Sequence, residues 1–411
     1  VPQPPRIVIA GAGQAGGAAA AFLRQYGWKD DILLIGEEPI PPYHRPPLSK
    51  AWLKGEATET SLALRPPHFY EKQSITLRLG TRVTDLDRAA RRVSLSDGST
   101  LDYTALILAT GAHARPLTIP GHALPGVLAL RNAADAEVLK AALGPGRRLA
   151  IIGGGYIGLE VAASARALGA EVTVIEREAR VLARVAGPEL SEFLAATHAG
   201  HGVKIRCAAG VAAILEQNGR AAGLRLEDGT PIAADAVLVG IGAVPNEALA
   251  RAAGLACEGG IVVDVAARTA DPAVFAIGDC TRRPLPLYDR QHRLESVPNA
   301  IEQAKQAAAA ICGRPEPAPD IPWFWSDQYD LRLQMAGIAF DATQRIRRED
   351  TATGGFCIFH LDATDRILAV EAVNAPAEFM AGRQLVAKAA HIAPARLGDA
   401  AIDLKTLIAQ A

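Results

Sequence analysis

The chain has 411 residues, and at about 100–200 residues per domain that length implies roughly two to four domains. Lysine plus arginine number 43 against 44 acidic residues, for a net charge of −1, which argues against a nucleic-acid binder or a polybasic membrane protein. With 49% hydrophobic and 21% charged residues the chain can fill sizeable cores and is not disordered, and no apolar run reaches the roughly 20 residues of a membrane span.

Residues Val1 to Arg6 show no charged start, apolar run and cleavage site. The five cysteines are scattered without a Cys-x-x-Cys, so a reduced, cytoplasmic protein is expected.

In chain order, Arg6–Gly11 reads as a strand buried on both faces of a parallel sheet. An alanine-rich helix over Ala15–Tyr26 and a second strand over Ile32–Ile35 complete a βαβ unit. The pattern returns as strand Arg148–Ile152, helix Tyr156–Leu168 and strand Glu171–Ile175, which a duplicated nucleotide-binding module explains. Strand pairs are predicted around Asp97-Gly98 and Asp228-Gly229, and buried strands end in glycine at Ala105–Gly111 and Val274–Gly278. A proline-rich stretch, Arg314–Pro322, reads as a linker. Beyond it, strands Leu331–Ala336, Phe356–Leu361 and Ile367–Val373 and a helix from about Ala377 to Ala390 suggest a separate α+β domain.

Each βαβ unit carries a glycine fingerprint. Gly11-x-Gly13-x-x-Gly16 is followed by Glu37, and Gly153-x-Gly155-x-x-Gly158 by Glu176, each acid about twenty residues on. The first glycine permits a tight turn and the second lets the backbone approach a pyrophosphate. The third lets the helix pack on the sheet, with its N-terminus toward the negative charge. The acid can accept hydrogen bonds from ribose hydroxyls, and a carboxylate at position 176 repels a 2′-phosphate, favouring NADH over NADPH. The adjacent Arg177 acts in the opposite sense. Two dinucleotide sites in one chain imply resident FAD and exchanging NAD(H), with hydride passing from nicotinamide to flavin.

Several further strings make the chain recognisable: Arg45–Lys50 (RPPLSK), Ala109-Thr110-Gly111, Gly153–Glu160 (GGGYIGLE), Gly278-Asp279-Cys280, Glu295–Gln303 (ESVPNAIEQ) and Trp323–Tyr329 (WFWSDQY). On these the chain resembles, over nearly its whole length, the FAD-dependent, NADH-linked ferredoxin reductases that feed bacterial cytochrome mono-oxygenases and Rieske-type dioxygenases. The resemblance implies an α/β, glutathione-reductase-like fold with two Rossmann-type domains and an α+β C-terminal domain. Residues 1–112 and 244–318 would form a discontinuous FAD domain, 113–243 the NAD domain and 319–411 the C-terminal domain. It assigns FAD to Gly11, Gly13, Ala15, Gly16, Glu37, Val83, Thr110, Gly111, Arg131, Asp279 and Val297, with Lys50 pointing toward the flavin. It assigns NAD to Gly153, Gly155, Gly158 and Glu176.

Within that assignment Asp279 bonds a ribityl hydroxyl and Arg131 contacts the FAD phosphates. Val83 touches the adenine, and Val297 offers its N–H at the pyrimidine edge with a helix N-terminus behind it. Lys50 and Glu160 would form a hydrogen-bonded pair beside the nicotinamide, and Trp325 would cover the flavin's far side. Plain alternatives stand beside these roles: a capping Asp279, solvated Lys50 and Arg131, a helix-start Glu160, and Trp325 as core packing. No cysteine precedes Cys207, and the position of a redox cysteine is taken by Tyr43-His44-Arg45-Pro46-Pro47, which excludes dithiol chemistry. Cys280 reads as a packed small residue. No metal-ligand spacing is present, so electrons must leave to a separate carrier or to a small molecule; the resemblance implies an acidic [2Fe-2S] ferredoxin docking on a basic face that includes Lys305, Arg332 and Lys405. Rubredoxin reductase, monodehydroascorbate reductase, an NADH oxidase or a non-enzymatic flavoprotein binding module related to apoptosis-inducing factor remain as alternatives.

Overall fold

The computed structural model describes residues 5–66, 68–350 and 354–410; residues 1–4, at the start of the expected FAD segment, lie outside them. Its first sheet has five parallel strands in the order Val274–Ala276, Ala105–Leu108, Arg6–Ala10, Asp31–Ile35 and Ile75–Arg78. Residues 7–10, Ala105–Leu108 and Val274–Ala276 are continuous apolar runs because both faces are covered, whereas the edge strand Ile75–Arg78 buries only its first residue. On one face lie the helices Gln14–Gln25 and Val297–Ile311, which bury Ala15, Ala18, Ala19 and Ala20 against Ala304, Ala307 and Ala308. Methyl-sized side chains let two helices approach each other and the sheet closely, so a core poor in aromatics still packs. The other face carries a three-stranded antiparallel sheet, Val83–Asp87, Arg92–Leu95 and Thr100–Asp102.

The second sheet repeats the plan. Its parallel strands run Lys204–Arg206, Glu171–Ile175, Arg148–Ile152, Ala236–Val239 and Val127–Leu128. It too carries an antiparallel annex, Val211–Gln217, Arg220–Leu226 and Pro231–Ala233. The chain passes between the two sheets through an antiparallel pair, Ala112–Ala114 with Ala243–Pro245.

The C-terminal sheet is antiparallel, in the order Trp323–Gln328, Leu331–Gly337, Ile367–Val373, Gly355–Leu361 and Gln344–Asp350. Alternation along its central strands sends Phe359, Val370 and Ala372 toward the helix Pro376–Ala387. The opposite residues, Phe356, Ile358 and Val373, pack with Leu333 and Met335 on Leu159, Leu182, Leu190 and Leu194 of the second module. Both faces are therefore buried. His360 and Glu371 lie on the inner face, 3.2 Å apart, and Glu371 Oε1 accepts the Gly187 N–H at 2.8 Å.

Among the elements that escape the sequence reading are the helices Ala133–Ala142 and Pro188–Gly200, the strands Ile75–Arg78, Val83–Asp87, Val211–Gln217 and Ala236–Val239, and the two edge strands Trp323–Gln328 and Gln344–Asp350. The last is QRIRRED, whose polar residues suit an edge and mask its β character. Among the described residues no helix is long and apolar enough to cross a membrane.

Candidate active site

Both glycine fingerprints lie at the carboxyl ends of parallel strands, where open α/β sheets bind ligands. Gly11 has φ +124°, and a Cβ there would fall 2.1 Å from the Ala109 carbonyl oxygen; a Cβ on Gly16 would fall 1.9 Å from the Gly11 oxygen. Gly13 differs, because its nearest obstacle is Arg45 Nη2 at 3.9 Å. It caps the helix Gln14–Gln25 with no side-chain hydrogen bond, so the first N–H groups face open space. Ala15 is buried in that first turn. The second copy is parallel in detail. Gly153 has φ +109° and a Cβ there would fall 2.4 Å from the Gly240 oxygen, a Cβ on Gly158 would fall 2.3 Å from the Gly153 oxygen, and Gly155 has open space around it. The helix Tyr156–Ala167 likewise starts without a side-chain cap. Two open glycines before two uncapped helix N-termini fit the pyrophosphates of two dinucleotides.

The acids of the two fingerprints sit differently. Glu176 is fixed: Oε2 accepts the Gly154 N–H at 2.7 Å and Oε1 accepts the Glu178 N–H at 2.8 Å. Glu37, two residues past its strand, is exposed and has Arg82 Nη1 at 3.3 Å. Around the first cradle, Val83 opens a strand of the annex and is buried. Thr110 Oγ1 donates to the Asn246 carbonyl at 2.7 Å, and Gly111 has φ +64°. Arg131 Nη2 pairs with Asp279 Oδ2 at 2.7 Å, so two residues expected to act separately are joined. Asp279 lies in the 3-10 turn Gly278–Cys280, past the end of its strand. Arg45 bridges from Glu38, at 2.7 Å, to the Arg131 carbonyl at 2.5 Å, and Tyr43 donates to Glu38 at 2.7 Å. Val297 is the first residue of the helix Val297–Ile311, with Ser296 as N-cap and proline next in line.

Lys50 and Glu160 come together. Proline at 46 and 47 builds a short 3-10 helix, Pro46–Ser49, that projects Lys50 from its end. Lys50 Nζ lies 2.6 Å from Glu160 Oε2, with the side chains 17% and 3% exposed. Glu160 is therefore neither solvated nor at the helix start proper; its helix buries it. Ser49 Oγ donates to the same oxygen at 2.5 Å, and Ser326 Oγ donates to Oε1 at 2.6 Å. A buried ionised pair needs such extra donors, since an unmatched charge there is costly. The sequence reading missed Ser49 and Ser326, because lone serines carry no spacing signal. Trp325 is half-buried on the edge strand, its ring centroid 5.7 Å from that of Trp323.

All five cysteines are free. Cys280 is fully buried, with Leu108 and Ile277 carbonyls as its hydrogen-bond acceptors, and burial pushes its thiol pKa up, the opposite of an activated thiolate. Lys305, Arg332 and Lys405 are all exposed.

A doubled Rossmann architecture, two open glycine cradles and a covering third sheet define a two-dinucleotide oxidoreductase. The chain belongs to the pyridine nucleotide-disulphide oxidoreductase family, whose pattern matches residues 5–304, and residues 323–408 match the reductase C-terminal family. The family uses FAD and NAD(P)H. The chain is 49% identical over 403 residues to a probable ferredoxin reductase, CtmF, of Castellaniella defragrans, covering 98% of each chain. It is 44% identical to putidaredoxin reductase CamA of Pseudomonas putida, covering 98% of this chain and 97% of that one. The crystal structure of the covalent putidaredoxin reductase–putidaredoxin complex contains a chain that superposes with a TM-score of 0.95 at 43% identity, covering 99% of this chain and 98% of that one.

Proposed function

We propose that this protein is an NADH-dependent, FAD-containing ferredoxin reductase that passes single electrons to a [2Fe-2S] ferredoxin serving a cytochrome mono-oxygenase or a Rieske-type dioxygenase. The observation that carries the reading is the buried Lys50–Glu160 pair, which joins the segment beside the first cradle to the helix that opens from the second. Names of full-length relatives point the same way. In this reading residues 1–112 and 244–318 hold FAD, 113–243 hold NADH and 319–411 cover the site, in the cytoplasm, where NADH is available.

When bound, FAD would supply a two-electron acceptor for the hydride of NADH and a one-electron donor to the ferredoxin. The chain's own residues do the rest. The Gly13 and Gly155 turns hold the pyrophosphates, with the helix N-termini behind them supplying partial positive charge. Glu176, fixed by two backbone N–H groups, binds the adenosine ribose of NADH and repels a 2′-phosphate. Glu37 and Val83 take the adenosine end of FAD, while Ala15, Thr110, Gly111, Arg131 and Asp279 line its centre. The Val297 N–H and its helix place positive charge against the pyrimidine edge of the ring. Glu160 holds the Lys50 ammonium in one position, and the two side chains keep water from the reacting face. Trp325 shields the opposite side, toward which the ferredoxin docks.

The test is transient kinetics of Lys50→Ala: flavin reduction by NADH slows sharply if the pair orients the reaction, and an unchanged rate refutes the role. Rubredoxin and monodehydroascorbate radical are the rival acceptors, separated by comparing turnover under NADH.

A further inference from the structure

The string Trp323–Tyr329 does more than supply aromatic rings. Alternation along its strand turns Phe324, Ser326 and Gln328 toward the second module: Phe324 packs edge-on to Tyr156 at 4.9 Å, Ser326 meets Glu160, and Gln328 meets His198 at the end of the helix Pro188–Gly200. Ser326, Gln328 and His198 are each 1% exposed or less. The contacts are consecutive. Tyr329 Oη lies 3.0 Å from His198 Nδ1, His198 Nε2 lies 2.8 Å from Gln328 Oε1, Gln328 Nε2 lies 3.1 Å from Ser326 Oγ, and Ser326 Oγ lies 2.6 Å from Glu160 Oε1.

The direction of the first three bonds from the Glu160 end follows from one fact, that a carboxylate paired with an ammonium accepts. Ser326 must then donate to Glu160, leaving its lone pairs to accept from the Gln328 amide nitrogen. That orientation turns the Gln328 oxygen to His198, so Nε2 carries the proton. Burial, and the nearby His201, push the His198 pKa down, which keeps the ring neutral and leaves Nδ1 to accept from the Tyr329 hydroxyl. The far end is itself held: Tyr329 sits at φ +55°, where bulky residues are rare, with the His201 ring stacked on it at 3.7 Å.

We propose that Tyr329, His198, Gln328 and Ser326 form a one-way chain of hydrogen-bond donors that fixes the orientation of the Glu160 carboxylate against Lys50, making all four positioning residues for the hydride-transfer site. The chain deepens the function proposed above and rests on it only for the consequence to catalysis. It is not simply a rivet for the C-terminal sheet, because the Glu371 bond to the Gly187 N–H and the Leu159–Leu333 apolar cluster anchor that sheet independently.

The experiment uses the FAD-loaded enzyme. The infrared difference between wild type and Glu160→Gln marks the Glu160 carboxylate stretch, and nitrogen NMR of 15N-histidine protein reports the His198 tautomer. The chain predicts His198 protonated at Nε2 alone. It predicts a carboxylate band shifted most by Ser326→Ala, less by Gln328→Met and least by Tyr329→Phe, and returned toward wild type in Ser326→Thr. Flavin reduction by NADH should slow about tenfold in Gln328→Met with the NADH dissociation constant unchanged. A wild-type band in both Gln328→Met and Tyr329→Phe, or a His198 proton on Nδ1 alone, overturns the proposal. Tyr329→Phe removes one partly exposed hydroxyl and keeps the test valid should Gln328→Met misfold. Shifted bands in Ser326→Ala and Gln328→Met, together with normal hydride transfer in Glu160→Gln, would instead refute the catalytic reading and leave the chain standing.

Discussion

Ser326, on the edge strand of the C-terminal sheet, donates a 2.6 Å hydrogen bond to Glu160, on the helix of the second glycine fingerprint. It occupies the carboxylate oxygen opposite the one that meets Lys50. One carboxylate thus ties together the Pro-Pro-Leu-Ser-Lys turn, the second dinucleotide module and the C-terminal sheet. The hydride-transfer site proposed here is complete only when all three are assembled.

Removing either partner should act on the chemical step. Lys50→Ala and Glu160→Gln are each expected to slow flavin reduction by NADH about 10²-fold, as loss of one oriented electrostatic group does. Lys50→Ala leaves the buried Glu160 carboxylate with only its two serine donors, so the variant should also lose thermal stability, read as FAD released at a lower temperature. Stopped-flow absorbance and FAD release on heating check both halves.

The glycines separate folding from binding. Gly155→Ala meets nothing within 4 Å and needs no left-handed backbone, so the protein should fold and retain FAD while its KM for NADH rises about tenfold or more. Gly153→Ala places a methyl into the Gly240 carbonyl at φ +109° and should reduce soluble yield outright. Expression and NADH titration of the two variants distinguish these outcomes.

Glu176 is the residue proposed to set coenzyme choice. Glu176→Ala removes both the ribose acceptor and the repulsion of a 2′-phosphate. The kcat/KM for NADH should fall about tenfold while that for NADPH rises, measured with a dye acceptor. An unchanged ratio would place the adenosine ribose elsewhere.

Several of these features are legible in the sequence for a physical reason. Gly11 and Gly153 are demanded by positive φ and by carbonyls where a Cβ would lie, and the flanking strands are apolar because both faces are covered. The serine donors are not legible. Ser49 and Ser326 reach Glu160 only through packing of segments distant in the chain, and a lone hydroxyl leaves no periodicity. The pairing of Arg131 with Asp279 is invisible for the same reason. The strand Trp323–Gln328 hides beneath its aromatic residues, since the polar members that face inward look like a surface pattern.

Acid should destabilise the fold. Burial lowers the pKa of His44, His198 and His292 below the ordinary 6.5, so below that pH the unfolded chain binds more protons than the folded one. Stability is therefore full above about 6.5 and falls as pH drops through the lowered values. Asp235, held down chiefly by its hydrogen bond from Arg148, and Asp271, where burial is outweighed by the Ala273 N–H and Arg88, add their losses only at lower pH, beneath 3.8. Urea midpoints of the holoenzyme at pH 7.5 and 5.5 should differ in that sense, and His198→Asn should narrow the gap.

Docking should be electrostatic, although the whole chain is nearly neutral. Lys305, Arg332 and Lys405 are exposed, and raising the salt concentration should depress ferredoxin-linked turnover more than turnover with a neutral dye. Charge reversal at these positions should raise the KM for ferredoxin and leave dye reduction intact. Equal salt dependence for both acceptors would remove the basic dock.

The most direct measurement is an acceptor panel on the purified FAD protein, run without oxygen except in the arm that tests it, with NADH and NADPH as alternative donors. Purified [2Fe-2S] ferredoxins, rubredoxin, ascorbyl radical and oxygen are compared by kcat/KM. The account predicts that NADH bleaches the flavin quickly and that a [2Fe-2S] ferredoxin reoxidises it fastest. Preference for rubredoxin or ascorbyl radical, or a flavin that NADH leaves oxidised, would contradict it.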